Sequence, residues 1–91
     1  MSKTLRVGNL ALSITAVRLE EIFAEFGQVA RVRLAESPLS GTSRGFGFVE
    51  MTSAAEAASC IKALNETERD GRKLVVADAP ASEVKKYVGR R

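Results

Sequence analysis

Arg44-Gly45-Phe46-Gly47-Phe48-Val49-Glu50-Met51 reads as a β-strand with an unusual division of its faces. Successive side chains of a strand point to opposite sides. Arg44, Phe46, Phe48 and Glu50 therefore share one face, and Gly45, Gly47, Val49 and Met51 share the other. Either face could lie inside. The choice depends on what the flanking sequence supplies as a core.

Upstream, Leu5-Arg6-Val7 alternates apolar and polar and is ended by Gly8-Asn9-Leu10, which makes a first strand. Thr15 is placed to cap a helix running to Phe26, with Leu19, Ile22, Phe23 and Phe26 as its apolar stripe and Gly27 as its stop. Val29 to Leu34 is a second strand, with Val32 and Leu34 on one face and Arg31 and Arg33 on the other. Glu36 to Ser43 reads as a loop. Downstream, Ser53-Ala-Ala-Glu56 is a capping box opening a second helix, striped by Ala57, Cys60, Ile61 and Leu64 and closed by Asn65. Asp70-Gly71 is a turn signal, and Leu74 to Ala77 is a fourth strand ended by Ala79-Pro80.

The order β-α-β-β-α-β predicts an α+β, ferredoxin-like fold. It is a four-stranded antiparallel sheet, order 4-1-3-2 counting strands along the chain, with two helices on one face. Leu5/Val7, Val32/Leu34 and Leu74/Val76 supply a complete layer beneath the helices, so Val49 and Met51 belong with them. The glycines are read as letting a helix approach. Phe46 and Phe48 are then expected on the open face, exposed, with Arg6, Arg31, Arg33 and Arg44 around them. Aromatic faces stack on nucleobases and guanidinium groups bind phosphate, so this face suits a single-stranded nucleic acid.

Composition narrows the classes. A chain of 91 residues holds one domain, here residues 1–80, followed by a short basic tail over 81–91 that is expected to be flexible or to act as an arm over the sheet. The single cysteine, Cys60, excludes an intramolecular disulfide, and as part of an apolar stripe it reads as a core residue. No histidine is present, which removes histidine-based catalytic dyads and triads and most zinc sites. No cofactor or metal is expected. No apolar run approaches the roughly 20 residues of a membrane span, and the first residues lack a signal-peptide core, so a cytoplasmic protein is expected, with a monomer as the default. The net charge of +3 is mild and compatible with a nucleic-acid partner.

Residues 44–51 resemble the octapeptide of the RNA recognition motif (RRM) at seven positions, with Met51 in place of the final aromatic. Val7-Gly8-Asn9-Leu10 is similar to part of the family's hexapeptide, and the resemblance spans Lys3 to Ala79. The layout looks like that of small bacterial RNA-binding proteins. The resemblance implies base stacking by Phe46 and Phe48 and a phosphate contact from Arg44. It also implies an aromatic at the second hexapeptide position, where this chain has Arg6. Asn9 and Glu50 are placed at the platform's edge, and Asp78 is expected to offer polar groups to a base. The expected partner is single-stranded RNA, with single-stranded DNA left open. A protein-interaction RRM binding a peptide is the alternative. An acylphosphatase-like enzyme on the same topology would need a glycine-rich anion cradle after the first strand. Gly8-Asn9-Leu10-Ala11-Leu12 supplies one glycine, so no enzyme is expected.

Overall fold

The structure, a computed structural model, describes residues 3–11, 14–36 and 43–79. The elements are β1 (Thr4–Gly8), α1 (Ala16–Ala24), β2 (Val29–Glu36), β3 (Ser43–Met51), α2 (Ala54–Leu64), β4 (Glu68–Arg69), β5 (Arg72–Lys73) and β6 (Val75–Asp78). The main sheet has the order β2-β3-β1-β6, all neighbours antiparallel, which is the predicted topology with β6 as the fourth long strand. The Asp70-Gly71 turn joins two further strands of two residues each, β4 and β5, too short to leave a period in the sequence. Among the described residues, no helix is long and apolar enough to cross a membrane.

The core lies between the sheet and the helices. Leu5, Val7, Val49, Met51, Leu74 and Val76 meet Leu19, Ile22 and Phe23 of α1 and Ala57, Cys60 and Leu64 of α2, all buried. Val32 and Leu34, on the edge strand β2, are only partly covered. Burial pushes the Cys60 thiol up, which keeps it protonated and unreactive.

Both helices start as predicted. The Thr15 hydroxyl accepts from the Arg18 amide at 3.1 Å, and the Ser53 hydroxyl accepts from the Glu56 amide at 3.2 Å. α1 stops earlier than expected, at Ala24 with Glu25 as its cap. Gly27 is not left-handed. A Cβ there would lie 3.0 Å from Glu56 Cβ and from Met51 Cε, so it is small because the start of α2 packs against it. The expected role of Gly47 is also corrected. Its missing Cβ would meet the Arg33 carbonyl oxygen of β2 at 2.6 Å, so it makes room for a neighbouring strand and not for a helix.

Glu56 ties the start of α2 to the end of α1. Its carboxylate accepts from the Thr52 hydroxyl, from the Gln28 amide at 3.1 Å and from the Ser53 hydroxyl at 3.2 Å. The Thr52 bond foremost, then the Gln28 amide and the Ser53 groups, hold the carboxyl below its ordinary value of 4.5. A depressed carboxyl contributes stability above its unfolded pKa and loses it as pH falls through the folded one. Melting temperature should therefore fall on acidification from about pH 5 to about pH 3. Glu56→Gln should be less stable at neutral pH and lose less than wild type over that window. Equal losses in thermal melts of the two proteins would remove Glu56 from this role.

Candidate nucleic-acid interface

Strand register defines the face turned away from the helices. Arg6 pairs with Phe48 and with Ala77, and Arg33 pairs with Phe48, so these residues share one side of the sheet. Gly8 pairs with Phe46 and with Val75, and Arg31 pairs with Glu50 across a register shift in β2. No described helix covers this side.

Phe46 and Phe48 meet edge to face, with centroids 6.1 Å apart and ring planes at 87°. The Arg6 guanidinium carbon stands 4.9 Å above the centre of the Phe46 ring, within cation–π range. Arg6 thus occupies the place where the family resemblance implies an aromatic, and its cationic head lies over the Phe46 ring. Phe46 is half-buried.

Phe48 departs from expectation. It lies on the predicted face, but only 2% of it is exposed. The expectation rested on the alternation rule, which assigns a side chain to a face and says nothing of what lies above that face. Phe48 is a buried ring outside the helix-side cluster.

The remaining predicted residues separate into groups. Arg31 and Arg33 are exposed on β2, and Arg31 Nε lies 3.9 Å from Glu50 Oε1, a loose exposed pair that leaves the guanidinium accessible. Asn9 is engaged elsewhere. With φ of 59°, its Nδ2 donates to the Lys73 carbonyl at 2.6 Å, and its Oδ1 accepts from Arg72 Nη2 at 3.0 Å. It clasps the β4–β5 hairpin to the end of β1. Asp78 pairs in register with the core residue Leu5, which puts it on the helix-side row at the sheet edge and away from the aromatic pair. The Arg44 side chain lies outside the described residues, as does the loop over 37–42. Sequence reasoning missed Val75, which is 51% exposed beside Gly8 and extends the apolar strip of Phe46 onto β6. The placing of Leu74 and Val76 under the helices already implied it. It also missed exposed Arg72 and Lys73, which the hairpin sets next to that strip.

The acidic helix face is partly neutralised on the opposite layer. Arg18 grips Asp70 through two bonds of 3.0 Å, and Arg69 lies 3.7 Å from Glu25. The Asp70 carboxyl is held low by the Arg18 hydrogen bond and charge.

Residues 5–75 match the RNA recognition motif family. The chain belongs to that family. Among similar RRM proteins is RbpA of Nostoc sp. strain PCC 7120, whose name gives RNA binding as its expected activity; it is 48% identical over 77 residues, 85% of this chain and 76% of RbpA. The crystal structure of RNA Binding Protein PG1 is 37% identical with a TM-score of 0.82, covering 86% of this chain and 94% of PG1. A Sex-lethal protein–RNA complex is 33% identical with a TM-score of 0.81, covering 85% of this chain and 47% of that one.

Proposed function

We propose that this RRM protein binds single-stranded RNA on the sheet face opposite its helices. The observation that carries the reading is the Arg6–Phe46 stack, flanked by Arg33 on one side and exposed Val75 on the other. A base stacks on the pair, an interaction of about 1–3 kcal/mol per base. Arg31 and Arg33 take phosphates, and Val75 packs against the next base or sugar. The Sex-lethal complex with RNA supports the choice of ligand.

Chemical-shift mapping with a random-base RNA oligonucleotide tests this. Saturable shifts are expected at Arg6, Phe46, Arg33 and Val75. Log affinity should fall with log salt at a slope of about −1.4, for two phosphates neutralised by Arg31 and Arg33. Absence of saturable shifts at low salt would sink the reading. Shifts confined to α1 and its exposed Val17 would point instead to a different partner on the helical layer.

A further inference from the structure

The tail over 81–91 lies outside the described residues. Within them, Arg69-Asp70-Gly71-Arg72-Lys73 places three cations and one acid in the β4–β5 hairpin. Asp70 and Gly71 have φ of 53° and 80°, the two left-handed residues of a tight hairpin turn. Strands this short do not hold together by themselves in water. Contacts on two sides fix the hairpin. On the helix side, Arg18 takes Asp70 and Glu25 takes Arg69. On the sheet side, Asn9 Nδ2 donates to the Lys73 carbonyl and Asn9 Oδ1 accepts from Arg72 Nη2. These contacts sort the charges. Arg69 faces a carboxylate, whereas the partner of Arg72 is a neutral amide. Glu68 stands opposite Lys73 in register, but no ion pair joins them, and neither Arg72 nor Lys73 meets a carboxylate among the described residues. Exposed Lys73, Val75 and Ala77 alternate with buried Leu74 and Val76, which carries the open-face row of β6 into β5. Val75 pairs with Gly8, and Gly8 with Phe46, so a strip with no side chain at its centre runs from the Phe46 ring to the hairpin.

We infer, resting on the RNA-binding reading above, that the β4–β5 hairpin is a second phosphate-binding element of the interface. Lys73 and Arg72 take phosphates of the strand that crosses the Arg6–Phe46 stack, and Asn9 is the positioning residue that sets both cations. Two strand spacings separate Phe46 from Val75, about 10 Å, and Lys73 lies about 7 Å further along the edge strand. A strand with one base on Phe46 passes low over Gly8, packs on Val75 and meets the hairpin. The Lys73 ammonium there has no carboxylate to cancel it. A guanidinium carries five N–H donors, so Arg72 can hold Asn9 and a phosphate oxygen together. Asn9 brings no charge of its own. It fixes the Lys73 backbone with one end of its amide and the Arg72 head with the other.

Salt dependence separates the hairpin from the sheet. The two sheet arginines give a slope of about −1.4, and two hairpin cations add as much again, for about −2.8. Raising salt from about 50 to about 200 mM should then weaken RNA binding about 50-fold in wild type and about sevenfold in the full-length variant R72Q/K73Q. The variant's loss should be equal on oligouridine and oligoadenosine, since phosphate contacts carry no sequence. R72K/K73R should keep the wild-type slope. Asn9→Gly keeps the left-handed backbone and removes the clasp. It should weaken binding about three- to tenfold in the wild-type background and less than about twofold in R72Q/K73Q, because it acts through those cations. A slope unchanged in R72Q/K73Q overturns the hairpin contact, and the sheet reading still stands if Phe46→Ala weakens binding. A loss that differs between the two oligonucleotides overturns the phosphate assignment. Equal losses from Asn9→Gly in both backgrounds overturn its positioning role. If wild type shows no saturable binding at low salt, the RNA-binding reading has failed and the hairpin contact falls with it.

Discussion

Replacing Gly47 by alanine is expected to destabilise the protein by about 2–3 kcal/mol, the upper part of the range for overpacking a tight interior. The added Cβ would lie 2.6 Å from the Arg33 carbonyl oxygen, with Leu34 Cδ2 at 3.1 Å and Leu34 Cα at 3.3 Å behind it. The closest atoms are backbone, so no side-chain rotation relieves the contact. The β2–β3 pair must open or slide, and β3 is central, pairing with β1 on its other side. Melting temperature should drop by roughly 10–20 °C for a domain of this size. RNA affinity should fall as well, because the strand pushed away carries Arg31 and Arg33. A melt within 2 °C of wild type would show that the two strands are further apart at this point than the structure has them.

The same position shows where sequence reasoning reaches and where it stops. That residues 44–51 form a strand follows from alternation, and that Gly47 is on the helix-facing side follows from the apolar layer that the flanking strands supply. That Gly47 faces Arg33 and Leu34 closely enough to exclude one methyl depends on the register of β2 against β3, which is shifted on either side of the contact. Register between residues 13 positions apart, such as Leu34 and Gly47, is not a local property. The helices were legible for the opposite reason: the Leu19-Ile22-Phe23 stripe and the Ser53–Glu56 cap are complete within one or two turns. Asn9 is a further case. Next to the strand end it reads as a ligand contact, but its partners Arg72 and Lys73 are more than 60 positions away. The site was readable to the extent that it follows from parity, as with Phe46, Arg6, Arg31 and Arg33. Phe48 was assigned to the right face and the wrong environment, since parity assigns a face and not what surrounds the ring on it.

That difference between two neighbouring rings gives the largest expected contrast. Phe48→Ala should cost about 3 kcal/mol of stability or more, because it empties a buried aromatic volume. Phe46→Ala should cost far less, since its ring is half-buried and outside the helix-side core. RNA binding should order the two differently. Without Phe46 the Arg6 guanidinium loses the ring it lies on at 4.9 Å, and a base loses its stacking partner. The expected loss is about 1–3 kcal/mol, or roughly 5- to 150-fold in Kd. Thermal melts and RNA titrations of both variants separate the outcomes. Phe46→Ala that melts near wild type and binds RNA weakly places the ring in the interface. Wild-type affinity in that variant would remove the Arg6–Phe46 stack from RNA recognition. Phe48→Ala that melts near wild type would contradict its burial. A Phe48→Ala protein that is unstable but still binds RNA at low temperature would assign that ring to the architecture, and leave base stacking to Phe46 and Arg6.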